Sequence, residues 1–229
     1  MVQYEVLIFV KVFAYFYLIS YPRVSYLWSF YFFLGSISKD KNHKIFQKMS
    51  KVTLFIATTL DGKIARKNGE LDWLMNRPNP NQLDYGYNDF LGTIGAIVIG
   101  KTTYNKILGF GVEWPYTGIP AYVATTEPKF QAKTPDTYTF TSDLTEFIAE
   151  LRQKIKKDIW LMGGGQLIST FLKNDLLDRM ILTLIPTTIG EGIPLFPDLN
   201  KEIIWTLKNI RFFKTGVVNL TYDKESNHT

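Results

Sequence analysis

The chain has 229 residues and is 46% hydrophobic, enough for one domain with a real core and an appendage. It has no cysteine and only two histidines, His43 and His228, both near chain ends, which excludes a disulfide framework, a thiolate or histidine zinc site and a Ser-His-Asp triad. The net charge of +5 lies mostly in residues 1–48, with six basic and two acidic side chains; the rest carries 20 basic and 19 acidic ones, which removes the main support for a nucleic-acid surface.

Residues 1–48 are a different kind of sequence, holding 14 of the chain's 35 aromatic residues. From Val12 to Ile37 the only charge is Arg23, and roughly 20 apolar residues suffice to cross a bilayer. Pro22 and Arg23 interrupt that run, and a central arginine is costly in lipid. Glu5 precedes the run and "GSISKDKNHK" follows it, a poor match to a cleaved secretory signal. Three readings stand: a membrane anchor, a cleaved signal, or an upstream extension of a protein that starts at Met49. The third is preferred, because "MSKVTLFIATTLDG" enters a core strand at once. The domain expectation is therefore a head over 1–48 outside the fold and a body over 49–229 with a short polar tail. A membrane partner is expected only if the head is genuinely translated.

The body alternates strands and helices. "KVTLFIAT" (51–58) is β-rich and leads to a turn at Asp61-Gly62. Residues 78–92 could hold a helix after "NRPNP". "AIVIG" (96–100) is short and wholly apolar, as a buried strand should be. "KTTYNKIL" could be a short helix, and "AYVATT" and "TYTF" read as strands. In "SDLTEFIAELRQKIKK", Ser142 or Asp143 can cap a helix whose apolar face is Leu144, Phe147, Ile148, Leu151 and Ile155. "DIWLM" is a strand, "GGG" a loop and "QLISTFLKN" a helix. "RMILTLIPTTIG" is a long strand, and "IIWTLKNIRFF" with "VVNLTYDK" closes an antiparallel pair. The order predicts an α/β fold with a mostly parallel central sheet, helices on both faces and an antiparallel C-terminal edge.

Three strands end in small or hydroxyl residues: "VIGKTTY", "YVATT" and "LMGGGQL". Ligands of open parallel sheets sit beyond such ends, where a helix N-terminus offers N–H groups and a positive dipole end to phosphate. Each junction alone could be only a tight turn; three together point to a nucleotide. The pattern is not G-x-G-x-x-G, which would need a glycine at Ile168. Gly95 to Thr102 has Walker P-loop spacing, but its inner residues, Ala96 to Ile99, must be the buried strand itself, which cannot also cradle phosphate. Asp84, among Leu83, Tyr85 and Tyr87 on the predicted helix, is the acid that could relay a proton; the plain alternative is a solvated helix acid. Asp61 also reads as the turn former of "LDG", Asp72 before Trp73 as a cap, and Thr183 as an ordinary strand residue.

The motifs "FIATTLDGKIA", "VIGKTTYNKI", "YVATT", "WLMGGGQLI" and "LTLIPTTIGEGIPLFP", in this order from Met49 to about Asp223, resemble the dihydrofolate reductase fold family. The likeness is closest to the branch that includes the C-terminal reductase domain of the bifunctional riboflavin-biosynthesis deaminase-reductase. It implies NADPH-dependent hydride transfer to a pterin- or aminopyrimidine-like heterocycle by a cytoplasmic homodimer. It implies cofactor contacts at Ala57, at the turn Gly100, Lys101, Thr102 and Thr103, at Thr125 and Thr126, and at Gly163, Gly164, Gly165, Gln166 and Leu167. Lys101 stands where the family often has an arginine near the 2′-phosphate. Ile56, Asp61 and Trp73 are the candidate substrate contacts. Asp84 matches the spacing of the substrate-binding acid, and Thr183 the threonine that supports it. A non-catalytic nucleotide- or pterin-binding module of the same fold is the alternative. The chain departs from a riboflavin-pathway reductase in "NKILGFGVEWPYTGIP", where a phosphoribosyl substrate calls for basic groups. It also has no cysteine to hold the zinc of a deaminase domain.

Overall fold

The computed structural model describes residues 49–225. The expectations for residues 1–48 and for the last four residues lie outside them. Among the described residues no helix is long and apolar enough to cross a membrane.

Strand β1 (Val52–Thr59) is buried at every position and sits in the middle of the main sheet. That is why it reads as a continuous apolar and threonine run rather than an alternating one. The chain continues through β2 (Lys63–Ala65), the one-turn α1 (Asp72–Met75), α2 (Tyr87–Gly92), β3 (Ile94–Gly100) and α3 (Lys101–Leu108). Then come β4 (Ala121–Ala124), β5 (Thr137–Phe140), α4 (Leu144–Lys154), β6 (Asp158–Gly163) and α5 (Gly165–Lys173). Strands β7 (Arg179–Ile185), β8 (Ile193–Pro194), β9 (Trp205–Phe212) and β10 (Val218–Lys224) complete it. The eight-stranded sheet has the order β5-β4-β3-β6-β1-β7-β10-β9, while β2 and β8 form a separate antiparallel pair. All pairings from β5 to β7 are parallel; β10 is antiparallel to both β7 and β9. This is the expected α/β architecture with its antiparallel C-terminal edge.

Aromatic packing covers one face of the sheet. Phe55 stacks on Phe90 of α2 at 4.4 Å, and Trp160 of β6 meets the rings of Tyr87, Phe90 and Tyr116. Helix α4 forms where its cap and stripe are expected: the Asp143 carboxylate accepts from the N–H of Thr145 (2.9 Å) and Glu146 (3.0 Å), and Ile148 and Leu151 are buried.

The expected helix over 78–92 is shorter than its sequence allows, and only Tyr87–Gly92 is helical. Gln82 (φ 48°), Tyr85 (φ 51°) and Gly86 (φ 82°) are left-handed, which no α-helix tolerates. Asp84 therefore lies in the turn before α2 and not on the helix.

At the amino ends of β1 and β7 lies an ionic network. Asp178 accepts from the Val52 N–H and from Arg152, both at 2.7 Å, and burial pushes its carboxyl upward. Arg179 forks onto Asp223 at 2.6 and 3.0 Å and holds that carboxyl low, against the opposing effect of burial. These charges join strands at the end opposite the candidate site, so they serve the fold.

Candidate functional site

The sheet order places β4, β3 and β6 side by side, so the three strand ends singled out in the sequence adjoin one another. In register, Gly100 pairs with Ala124 and Ile99 with Gly163. Helix α3 starts from the N-cap Gly100 and helix α5 from the N-cap Gly164, and neither has a side-chain cap. The two caps are close: a Cβ on Gly100 would stand 3.6 Å from the Gly163 oxygen and 3.9 Å from the Gly164 nitrogen. In α5 the Ile168 N–H returns to the Gly164 carbonyl at 2.9 Å, so the N–H groups of the first turn before it point out of the helix end. Two positive helix ends thus converge on one spot, which suits a group with several negative oxygens.

The three glycines serve three ends. Gly163 has φ +107°, a conformation that side chains rarely adopt, so its reason is the backbone. Gly164 is extended (φ −69°, ψ −171°) and caps the helix. Gly165 is small because the segment after β8 lies against it: a Cβ there would meet Pro197 at 3.1 Å and the Pro194 oxygen at 3.2 Å. The Ser169 hydroxyl donates to the Pro197 carbonyl, and Gln166 Nε2 donates to Asp198 at 3.3 Å, so this strap is tied along α5. The structure thus places Gly165 and the Gln166 side chain in packing and bonding with residues 194–198. Leu167 lies 4.0 Å from a Cβ built on Gly100 and closes the apolar side of the junction.

The remaining cofactor candidates flank this point. Thr103 is buried and Thr102 exposed at the start of α3. Thr125, one residue beyond β4, accepts from the Glu127 N–H at 3.1 Å; Thr126 is exposed. Lys101 is the first residue of α3, and its ammonium is ion-paired with Glu127 and lies 5.7 Å from the centre of the Phe130 ring. Sequence reading did not single out Glu127, because 26 positions separate the partners.

Toward β1 the site changes character. Ala57, Thr183, Asn219 and Arg211 are register partners across β1, β7, β10 and β9, so they form one row on the sheet. Ile56 is in the next row, paired with Leu182, and its side chain points to the opposite face. Among the described residues Thr183 Oγ1 and Asn219 Oδ1 are buried without a hydrogen-bond partner, while Asn219 Nδ2 donates to the Tyr85 carbonyl at 2.6 Å. Asn219, absent from the sequence expectations, thereby ties the Asp84–Gly86 turn to the sheet. Asp84 itself accepts from the N–H of Gly86 (2.9 Å) and Asn88 (3.1 Å). The expected support of Asp84 by the Thr183 hydroxyl is not made: the carboxylate caps the start of α2 instead.

Trp73 is 7% exposed, and its indole N–H is buried with no partner among the described residues. Helix α1, which carries it, is anchored by the fork from Arg66 to Asp72 at 2.6 and 2.8 Å; that bond holds the Asp72 carboxyl low. Asp61 accepts from the N–H of Ile189 (3.2 Å) and Gly190 (2.8 Å), tying the β1–β2 turn to the loop after β7. Its carboxyl is held low, first by the Thr59 hydroxyl.

Comparison with known proteins bears on this geometry. Residues 114–219 match the family model described as the RibD C-terminal domain. YwjB of Bacillus subtilis (strain 168), an uncharacterized protein, is 35% identical over 168 residues, covering 73% of this chain and 94% of YwjB. Among solved structures, a protein of Shewanella sp. PV-4 assigned to riboflavin biosynthesis is 32% identical with a TM-score of 0.68, covering 77% of this chain and 99% of that one. Dihydrofolate reductase from Enterococcus faecalis, solved with NADP(H), is 18% identical with a TM-score of 0.55, covering 77% of this chain and 97% of that one, a likeness of fold.

Proposed function

The chain belongs to the RibD C-terminal domain family, and from that premise we propose that it is an NADPH-dependent reductase acting on a pterin- or aminopyrimidine-like heterocycle. One observation carries the reading: two uncapped helix N-termini, on Gly100 and Gly164, meet at adjoining strand ends. A dinucleotide has the matching chemistry, a pyrophosphate for the helix ends and a nicotinamide to lie beyond it. The bound cofactor would supply the hydride. The chain's own residues orient and seclude it. Gly163 and Gly164 form the floor, Leu167 the apolar wall, and Lys101 with Thr125 the adenosine side. The row from Ala57 to Asn219 lies where the sheet passes toward the substrate, with Asp84 as the proton-relaying acid and Trp73 as a substrate contact; Ile56, on the other face of the sheet, is left out of that row.

A second reading, a binding module without turnover, draws on the commitment of Asp84 to backbone N–H groups and the absent Thr183 bond. The two readings separate in one experiment: NADPH oxidation followed across dihydrofolate and a panel of aminopyrimidines. Oxidation supported by one of these substrates is the expected result. Saturable NADPH binding with no oxidation by any of them favours the module.

We also propose a homodimer, in the cytoplasm, whose reducing conditions suit a chain without cysteine. On the sheet face opposite Trp160, the rows Leu182–Leu220–Ile210 and Leu184–Val218–Phe212 carry no charge. Exposure rises toward the edge, to 42% at Ile210 and 75% at Phe212. Contiguous apolar surface of this kind marks an association site, and a second copy offers the same uncharged face. Phe212→Asp is expected to convert a dimer, measured by light scattering, into a monomer that still binds NADPH. A wild-type monomer would contradict the assembly.

A further inference from the structure

We propose that Glu127 sets cofactor specificity by competing with a 2′-phosphate for Lys101. The inference rests on the nucleotide site described above. Lys101 begins α3, where a positive side chain opposes the helix dipole and an anion is favoured. Its ammonium is paired with Glu127, on the turn after β4, and lies near the Phe130 ring. The pair is asymmetric in exposure: the Lys101 side chain is 25% exposed and Glu127 62%. The cation is thus held in place, while the anion sits at the rim and can leave.

Three further observations fix the geometry of the competition. Glu127 is oriented from its backbone, since its N–H donates to Thr125 Oγ1 at 3.1 Å. Thr125 follows β4 directly, and β4 pairs with β3 so that Ala124 stands opposite Gly100. The carboxylate, the lysine and the hydroxyl therefore surround the same strand ends. A phosphate reaching Lys101 must either displace the Glu127 carboxylate or share the ammonium with it at like-charge cost. A cofactor without that phosphate leaves the ion pair intact. Glu127 therefore penalises the phosphorylated cofactor selectively and leaves the pyrophosphate floor at Gly163 and Gly164 untouched. If the carboxylate only neutralised the helix end, its removal would act on both cofactors alike.

The test is a fluorescence titration of the full chain with NADPH and, separately, with NADH. Glu127→Gln is expected to tighten NADPH about fivefold, the factor matching the upper end of a surface ion pair's worth, with NADH unchanged. Glu127→Ala should do the same, and adding Lys101→Met to Glu127→Gln should remove the gain. An unchanged ratio of the two dissociation constants, or a parallel shift of both, would overturn the proposal. A wild-type chain that binds neither cofactor would overturn the reductase reading, and this inference with it.

Discussion

Gly163→Ala is expected to weaken NADPH binding about tenfold or more, the scale of the strain of about 1–3 kcal/mol that a side chain meets in this backbone region. The reason is the backbone. At φ +107° an alanine is strained, whereas the space around it is adequate: a Cβ would meet only Ile168, at 3.5 Å. Holding a side chain in such a region costs about 1–3 kcal/mol, and the chain relieves it by rotating the peptide that leads into Gly164. That rotation moves the floor between the two helix ends. A drop in melting temperature should accompany the loss, because β6 is central and its last residue pairs with Ile99. Gly100→Ala separates the two effects. Gly100 is extended at φ −74°, so alanine there brings no backbone strain and only a Cβ at 3.6 Å from the Gly163 oxygen. It should leave the fold intact and weaken binding less. Equal NADPH affinity in Gly163→Ala and wild type would remove this turn from the cofactor site.

Asp84→Asn is expected to lower turnover at least about 100-fold while NADPH affinity stays within about twofold, as befits a lost proton relay. The structure makes the test sharp, because Asp84 has two separable roles. As a cap it accepts two backbone N–H groups, and asparagine keeps only one acceptor oxygen for them. Loss of capping alone costs about 1 kcal/mol of stability and leaves turnover nearly intact. Each carboxylate oxygen has a second lone pair, so capping does not exhaust its capacity to exchange a proton. Asp84→Ser, which can still accept one N–H, separates the cap from the acid: under the relay it is as slow as asparagine. Unchanged turnover in Asp84→Asn would reduce Asp84 to a cap and leave the binding-module reading in place.

Much of this molecule is legible in the sequence where one local force dominates. "VTLFIATT" is buried on both faces, and its composition says so. Asp143 and the stripe through Ile148 and Leu151 define α4 by capping and period alone. The three strand ends are legible as a set because the α/β order brings parallel strands to one edge. What escapes is whatever depends on distant partners. Gly165 reads as part of a phosphate loop, yet Pro197, 32 positions later, accounts for its missing side chain. Lys101 reads as a phosphate ligand, and only the fold reveals Glu127 beside it. Asp84 reads as helical because the segment after "NRPNP" could hold a helix up to Gly92; left-handed Gln82, Tyr85 and Gly86, with the Tyr85 carbonyl tied to the sheet by Asn219, confine the helix to its last six residues.

Titration of the purified chain with NADPH, read by the fluorescence of the bound nicotinamide, decides whether the two helix ends hold a dinucleotide. Saturable binding at one site per chain, clearly weakened in Gly163→Ala, is the expected result. No saturable binding of NADPH, or binding that Gly163→Ala leaves unchanged, would contradict it.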